Sequence, residues 1–296
     1  MAVVLALAAE AAFGWPGFLR AATLPRQRLV FQGKTDAGGY QLFVARADGT
    51  ELRQLDLGLD ASLAFPRFAP DGKHLAFVVE TAGGRQDLYV ANADGSDTRS
   101  IVASPDAPVG APSWSPDGST IVFSWHRDGN WEIYTVHFDG TGLVRMTSDP
   151  GLDLAPVFSP DARTIVFTSD RAGNGDSHLY AMNADGTRIR RLTFGEDESA
   201  ADFSPDGRSI AFVGFTAGNA DLWIMDANGS HAGRLTKAAM FEYDPRWSPD
   251  GRWIAFEGYR KDYPDLYLIR ADGSGRRQIT NTGRYAGNPT WQPSQD

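Results

Sequence analysis

Residues 203–212 read Phe-Ser-Pro-Asp-Gly-Arg-Ser-Ile-Ala-Phe, and this stretch decides the fold. An aromatic residue comes before a Pro-Asp-Gly turn, in which Pro presets φ, Asp bonds nearby backbone and Gly takes the left-handed conformation. The apolar run after the turn alternates with polar residues, as a half-buried β-strand does. The stretch therefore predicts the end of one strand, a tight turn and the start of the next strand.

The same arrangement recurs six times along the chain. An aromatic residue stands at the turn position at Phe68, Trp114, Phe158, Phe203, Trp247 and Trp291. A Phe in the neighbouring apolar run recurs at Phe31, Phe77, Phe123, Phe167, Phe212 and Phe256. A third run holds an apolar–aromatic pair at Leu42-Phe43, Leu88-Tyr89, Ile133-Tyr134, Leu179-Tyr180, Leu222-Trp223 and Leu266-Tyr267. Asp-Gly or Asn-Gly hairpin signals follow each pair. Every landmark repeats at a spacing of 43 to 46 residues, which is the period of a four-stranded propeller blade.

The repeats predict an all-β fold, a six-bladed β-propeller with four antiparallel strands per blade. The first repeat begins at the second strand of a blade, at Leu29, and the chain ends with an isolated first strand, Pro289-Thr290-Trp291. We expect the C-terminal strand to join the N-terminal blade and close the ring. The propeller would occupy residues 26–293, after an N-terminal segment of residues 1–25.

These repeats resemble the Pro-Asp propeller repeats of the TolB family. Besides residues 203–212, the resemblance is carried by Thr-Ser-Asp-Arg-Ala-Gly-Asn at 168–174 and Tyr-Ala-Met-Asn-Ala-Asp-Gly-Thr at 180–187. TolB is a periplasmic component of a cell-envelope complex, so the resemblance implies a binding role in the envelope. TolB also has a separate α/β domain ahead of its propeller, and we expect that domain to be missing here because residues 1–25 leave no room for it.

Composition narrows the range of partners. The net charge is −9 and the pI about 5.0, and the Arg residues are spread singly, so no basic face for nucleic acid or an anionic membrane is expected. The chain has no Cys, which removes disulfides, thiolate catalysis and Cys-based metal sites.

The N-terminal segment gives the expectation for location. Residues 3–9 form a short apolar run, and Ala9-Glu10-Ala11 resembles a small-x-small cleavage site, but no Lys or Arg precedes the run. We interpret the segment as a degenerate export signal, with a short N-terminal helix or tail as the alternative. A periplasmic or secreted protein is therefore expected, without membrane insertion, or a cytoplasmic one if the segment is not a signal.

Candidate binding residues cluster where a propeller chain approaches the central channel. The residues around the start of each first strand are apolar in blades 2 and 3, but acidic or polar in later blades, at Asp153, Glu198, Glu242, Tyr243, Asp244, Tyr285 and Asn288. A loop between second and third strands adds Trp125, His126 and Arg127. We predict that these ten residues bind a partner at the channel mouth, since carboxylates attract cations and Trp, Tyr and Arg dominate hot spots. The alternative is that loop tips are acidic in any chain of this charge, and that loop arginines only pin the loops.

Catalytic motifs are missing from the sequence. It has no Gly-x-Ser-x-Gly elbow and no P-loop, and its five His residues fall at different repeat positions. We predict a non-catalytic, monomeric binding or scaffold protein that takes a protein or peptide partner and has no cofactor, apart from a Ca²⁺ or other cation that the channel could hold. The second hypothesis is a carbohydrate-active or metal-assisted lyase or hydrolase that uses mouth carboxylates. The third is a purely structural module of an envelope assembly.

Overall fold

The computed structural model describes residues 24–293, without residues 82, 105, 106, 238 and 261. The predicted export signal lies outside the described residues. The first half of the chain forms β1 (Arg28–Lys34), β2 (Tyr40–Arg46), β3 (Arg53–Gln54), β4 (Ser62–Phe68), β5 (His74–Glu80), β6 (Gln86–Asn92), β7 (Arg99–Val102), β8 (Val109–Trp114), β9 (Thr120–Trp125), β10 (Glu132–His137) and β11 (Val144–Arg145). A short 3₁₀ segment, Arg127–Gly129, lies between β9 and β10.

The second half of the chain continues the pattern. It forms β12 (Asp153–Phe158), β13 (Thr164–Ser169), β14 (His178–Asn183), β15 (Arg190–Arg191), β16 (Glu198–Phe203), β17 (Ser209–Thr216), β18 (Asn219–Asp226), β19 (Gly233–Arg234), β20 (Phe241–Trp247), β21 (Trp253–Tyr259), β22 (Pro264–Arg270), β23 (Arg277–Gln278) and β24 (Ala286–Trp291). In the described part of the chain these strands make six antiparallel sheets of four strands. The predicted six-bladed propeller is confirmed.

Blade 1 combines the two ends of the chain. Its strand order is β24-β1-β2-β3, and blades 2 to 6 take the following strands in fours, from β4-β5-β6-β7 to β20-β21-β22-β23. In the register of β1 and β24, Leu29 lies opposite Trp291 and Gln32 opposite Gly287. The predicted closure of the ring by the C-terminal strand is therefore correct. We call the strands of each blade A to D, from the channel outward, so that β24 is strand A of blade 1.

Apolar side chains fill the spaces between neighbouring blades. At the boundary of blades 4 and 5, for example, Val166 and Leu179 of blade 4 pack with Ile210 and Phe212 of blade 5, all at most 2% exposed. Because each blade buries a face against each neighbour, no single sheet carries the core. Among the described residues no helix has the length and apolar composition that a membrane crossing requires.

Each A strand contains one bulge, and the bulges fix which side chains reach the channel. The bulged residue has φ between 45° and 53° in all six blades, at Phe65, Ala111, Ala155, Ala200, Asp244 and Asn288. Pairing with strand B shifts its register at each of these points. The residue two positions before the bulge is at most 6% exposed in every blade, at Leu63, Val109, Asp153, Glu198, Glu242 and Ala286. Each bulge therefore follows a buried residue near the start of strand A and changes the direction of the side chains after it.

Candidate functional site

Two carboxyl groups meet at the mouth between blades 6 and 1. Asp244, the bulged residue of β20, is hydrogen-bonded through its side chain to Glu257 of β21. Burial raises the pKa of both carboxyls, and the neighbouring carboxylate raises that of Glu257 further. The backbone N–H of Asn288, the bulged residue of β24, donates to Glu257 Oε1 at 2.5 Å. Two carboxyls in contact hold a proton more readily than two separate carboxyls do, because ionising both would place two negative charges side by side.

Polar groups of blade 1 continue the site from Asn288. The Nδ2 group of Asn288 donates to Tyr285 Oη and to Gln32 Oε1, both at 3.0 Å. Tyr285 packs edge-on against Tyr40, with ring centroids 5.4 Å apart. Burial raises the pKa of the Tyr285 hydroxyl, and the carboxyl of Glu257 raises it further, so this phenol stays a hydrogen-bond donor at neutral pH.

On the blade 6 side, two more tyrosines flank the carboxyl pair. Tyr243 and Tyr259 pack edge-on with ring centroids 5.5 Å apart, and Tyr243 also contacts Phe215 of blade 5 at 6.3 Å. Tyr259 is hydrogen-bonded to Glu257, and burial is the main cause of the raised pKa of its hydroxyl. We call Tyr40, Tyr243, Asp244, Glu257, Tyr259, Tyr285 and Asn288 the mouth cluster.

The structure thus brings together four of the predicted site residues, Tyr243, Asp244, Tyr285 and Asn288. Sequence reasoning missed Glu257, which is 3% exposed. A signal was present: the residue after the strand B Phe is Val, Ser, Thr or Gln in the other blades, and Glu in blade 6 alone. In blades 3 and 4 that residue accepts a hydrogen bond from the next bulge through a hydroxyl, and Glu257 does so through a buried carboxyl.

Three other predicted residues lie between blades. Asp153, Glu198 and Glu242 occupy the buried position two residues before the bulge, so the strand turns them away from the channel. The partner of Asp153 is Arg171, whose Nη2 lies 2.8 and 2.7 Å from the carboxylate oxygens. Glu242 is bonded to Thr236 and Arg276, while the partners of Glu198 are His178, Thr193 and Gly195. These contacts tie each carboxylate to the strands and connections around the mouth, and its contact with a binding partner stays a prediction.

The pKa of two of these carboxyls reflects their burial. Desolvation raises the pKa of Asp153, against the hydrogen bonds and charge of Arg171. It also raises the pKa of Glu242, against the hydroxyl of Thr236 and the charge of Arg276. In both cases removal of the Arg would leave a buried carboxylate without its compensating cation.

Trp125, His126 and Arg127 lie on blade 3, across the ring from blade 6. Trp125 is 6% exposed and donates from Nε1 to Ser104 Oγ at 2.7 Å. The guanidinium of Arg127 lies 5.0 Å from the Trp125 ring, and His126 packs edge-on against Trp131 at 5.5 Å. These three residues therefore form a separate cluster that the structure does not bring into contact with the mouth cluster.

Charged groups also line the channel beyond the bulges. The residue two positions after the bulge is Arg67 in blade 2, Asp202 in blade 5 and Arg246 in blade 6. Burial raises the pKa of Asp202 to about 7, against a hydrogen bond from Trp247 N–H and the charge of Arg67. Arg67 donates to the backbone oxygens of Pro66 and Pro289 at 3.1 and 3.4 Å. Among the described residues no group of three or more His, Asp or Glu side chains is arranged to hold a metal ion.

Comparison with known proteins places this geometry in a family. The model of the TolB beta propeller domain matches residues 24–202 and 196–296. A crystal structure of TolB from Acinetobacter baumannii is 28% identical, with a TM-score of 0.80, and the match covers 90% of this chain and 67% of that one. A putative TolB from Agrobacterium tumefaciens is 22% identical, with a TM-score of 0.71 and coverage of 88% and 91%.

An enzyme shares the fold at greater distance. An oligogalacturonate lyase from Vibrio parahaemolyticus is 16% identical, with a TM-score of 0.59 and coverage of 85% of this chain and 74% of that one. At such identity the match shows the fold alone. No curated protein matches the sequence.

Proposed function

The chain belongs to the TolB beta propeller domain family, and from this membership and the mouth cluster we propose that it is a non-catalytic scaffold that binds a segment of a protein partner at the channel mouth. The observation that carries the proposal is the grouping of four half-buried tyrosines around the Asp244–Glu257 pair. Tyrosines give large, rigid contact area at low entropic cost, and they are enriched in binding hot spots.

The polar groups of the cluster would orient the bound segment. Asp244 is partly exposed beside Tyr243 and offers a carboxyl to a cationic or hydrogen-bond-donating group of the partner. Asp153, Glu198 and Glu242 would act through the connections that they hold in place. Propeller loops can bind a partner segment without moving far, because the rigid ring of blades holds them in position.

The proposed location and assembly follow the family. We propose that the protein works as a monomer in the periplasm, the compartment that the resemblance to TolB implies. The partner would be a protein of the cell envelope. No nucleic acid is proposed as a partner, because the net charge of −9 opposes a phosphate backbone.

The test compares two tyrosines of blade 6. Tyr243→Ala removes a ring of the mouth cluster, while Tyr263→Ala removes a 46% exposed tyrosine of the β21–β22 loop and serves as the matched control. Immobilised wild type and both variants are used to capture proteins from an envelope extract, and the affinity of any captured protein is then measured by calorimetry with purified components. Thermal melting of each variant confirms that it is folded.

We expect the captured protein to bind wild type and Tyr263→Ala equally, and Tyr243→Ala at least about tenfold more weakly. Truncation of an aromatic residue at the centre of an interface costs about 2 kcal/mol or more of binding free energy, and about 1.4 kcal/mol corresponds to tenfold. Equal affinity for all three folded proteins would show that the mouth cluster is not the binding surface.

A further inference from the structure

We infer that a cavity at the boundary of blades 4 and 5 is a receptor for the guanidinium group of an arginine side chain that the protein partner presents. The inference deepens the proposed function and rests on it for the source of the arginine. The cavity has a volume of about 380 Å³, within the usual range of ligand pockets. The rings of Phe194, Phe212 and Trp223 line it, together with the carboxylate of Glu198.

Two other blades show what the equivalent place can contain. In blade 4 the guanidinium of Arg171 covers the aromatic pair of strands B and C, at 5.1 Å from the ring of Phe167 and 5.2 Å from that of Tyr180. The same guanidinium is bonded to the buried strand A carboxylate, Asp153. The aromatic pair, the arginine and the carboxylate therefore form one unit, in which the cation is held by two rings and a salt bridge.

Blade 6 builds the same unit from a different position. The guanidinium of Arg276 lies 5.4 Å from each ring of the Phe256–Tyr267 pair and is bonded to Glu242, the strand A carboxylate. Arg260 adds a second guanidinium at 5.6 Å from Tyr267. Two blades thus place an internal arginine between the same two partners. The arginine comes from the B–C loop in blade 4 and from the residue before strand D in blade 6.

Blade 5 has the rings and the carboxylate without the arginine. Phe212 and Trp223 stack with centroids 6.3 Å apart, and Glu198 occupies the strand A position. Counting four residues on from the strand B Phe, blades 4 and 6 have Arg171 and Arg260, and blade 5 has Thr216.

The position before strand D also has no arginine in blade 5. Thr236 and Thr280 are equivalent, because each accepts a hydrogen bond from the backbone N–H of the strand C Leu at 2.9 Å. Four residues before Thr280 stands Arg276, whereas four residues before Thr236 stands Ala232. Thr216 and Ala232 both line the cavity, so the space exists because both arginine positions carry small neutral residues.

Side chains around the cavity favour a planar cation that donates hydrogen bonds and accepts none. Trp is the best aromatic partner for a cation, and among the described residues no Arg or Lys lies over Phe212 or Trp223. Glu196 is exposed at the rim. Glu198 is 6% exposed within the cavity, where His178, Thr193 and the backbone N–H of Gly195 hold its carboxylate in place. The two residues give the cavity carboxylate oxygens that can accept hydrogen bonds from an entering cation. The nearby Arg191 is committed elsewhere, since its guanidinium lies 4.8 Å from Phe194 and donates to Thr193 O at 2.5 Å.

The cavity and the mouth cluster are neighbours, because one aromatic contact links them. Phe215, which lines the cavity, also contacts Tyr243 of the mouth cluster at 6.3 Å. A partner segment that lies across the mouth cluster can therefore direct one side chain outward into the cavity. A guanidinium there would restore in blade 5 the unit that blades 4 and 6 form with their own arginines.

The test uses N-acetyl-arginine amide as the probe and the indole N–H of Trp223 as the reporter. The chain has eight Trp residues, so a spectrum of the ¹⁵N-labelled indoles is simple, and the Trp223→Phe variant identifies the Trp223 signal. N-acetyl-citrulline amide is the neutral isostere of the probe, and N-acetyl-lysine amide carries the same charge without the planar group. We expect saturable shifts of the Trp223 signal with the arginine amide, and at least about tenfold weaker binding of the other two.

Two matched variants locate the site. Ala232→Arg places in blade 5 the residue that blade 6 has at Arg276, so the protein fills its own cavity and binding of the probe is lost. Ile189→Arg adds the same charge at the equivalent position of blade 4, where Arg171 already covers the aromatic pair, and we expect the affinity to stay within about twofold of wild type. Both replaced residues are exposed, so both variants should fold.

Three results would overturn the inference: no shift of the Trp223 signal, equal shifts with the citrulline or lysine amide, or unchanged binding in Ala232→Arg. The source of the guanidinium is tested with the captured partner, which should bind Ala232→Arg at least about tenfold more weakly than Ile189→Arg. Equal partner affinity, with probe binding lost, would show that the cavity takes a free guanidinium compound instead. If no partner is captured but the probe binds, the proposed function fails and the guanidinium site stands.

Discussion

The two ends of the propeller use aspartate in opposite ways. At the end with the Pro-Asp-Gly turns, Asp117, Asp161 and Asp206 each accept a hydrogen bond from the Ser hydroxyl two residues before and from a backbone N–H two residues after. These bonds lower the pKa of all three carboxyls. Because the ionised form is bonded in the folded state, each turn favours folding at pH values above the ordinary pKa and loses that effect in acid.

At the channel and the mouth, ionisation of the carboxyls opposes folding instead of favouring it. Burial raises the pKa of Asp153, Asp202 and Asp244, so folding becomes less favourable when these groups must ionise. The turns repeat almost unchanged from blade to blade, whereas the channel positions vary in size and charge between blades. The end with the Pro-Asp-Gly turns therefore stabilises the ring. The end with the mouth holds buried carboxyls that oppose stability, and a binding role would explain why they are kept.

The largest expected effect concerns the ion pair at the start of strand A. Arg171→Ala leaves the buried carboxylate of Asp153 without a cation, and we expect the free energy of unfolding to fall by about 3–5 kcal/mol. Urea denaturation followed by tryptophan fluorescence measures the change.

A double variant provides the control. Asp153→Leu with Arg171→Thr gives blade 4 the side chains that blade 2 has at Leu63 and Thr81. Its stability should differ from wild type by about 1 kcal/mol or less, since an apolar replacement of a buried ion pair is often neutral. A double variant as unstable as Arg171→Ala would mean that Arg171 acts through its stacking on the two rings and not through the buried charge.

A pH series sharpens the contrast between the two ends. The pKa of Asp202 rises from the ordinary 3.8 to about 7 in the folded protein, so the folded state binds a proton that the unfolded state has released. Stability must therefore fall as the pH rises from about 4 to about 7, by at most about 4 kcal/mol from this group. Asp202→Asn should remove that part of the slope, which chemical denaturation at several pH values measures.

Asp206→Asn is the matched control, four residues further along the same blade. Its carboxyl has a lowered pKa, so the variant should be less stable by a constant amount above about pH 4, and the slope of its curve should differ from wild type only below that pH, where wild type protonates this group. Burial also raises the pKa of Asp244 and Glu257, and both residues are unchanged in the two variants. An Asp202→Asn curve parallel to wild type between pH 4 and 7 would show that Asp202 is ionised throughout.

The fold could be predicted because its signals are local and repeated. Pro-Asp-Gly, Asp-Gly and the aromatic positions report the chain around them, and six copies fix the number of blades. Even the closure by β24 follows from the strand that the first repeat lacks. Nothing in this inference requires knowledge of where a side chain points.

The site could be predicted only in part, because one bulge decides its geometry. The bulge at Asp244 changes the alternation of β20, so Glu242 turns between blades while Tyr243 and Asp244 face the mouth. A period-two pattern continued through that point gives the wrong face for Glu242. Glu257 was missed because it lies in an apolar run, and its role depends on the contact with Asn288 across the closure of the ring.

The smallest expected effect concerns a turn in which the repeated end departs from its own rule. Ala162 has φ 59°, in a turn position where the other blades with this motif have Gly at φ 63° to 71°. A left-handed Ala costs about 1–2 kcal/mol, and Gly gives back about 0.4–1 kcal/mol through the entropy of the unfolded chain. Ala162→Gly should therefore stabilise the protein by roughly 0.5–1 kcal/mol, which a rise in the urea midpoint at constant m-value measures.

Gly207→Ala, the reverse change in blade 5, is the control for this turn. A Cβ at Gly207 would lie 3.6 Å from the nearest atom, Pro160 Cδ, so it meets ordinary contact and only the backbone conformation at φ 69° is strained. The reverse change should lower stability by about the same 0.5–1 kcal/mol. If both changes moved the midpoint in the same direction, contacts between the two turns would decide these positions, and the turns of the repeated end would not be independent of one another.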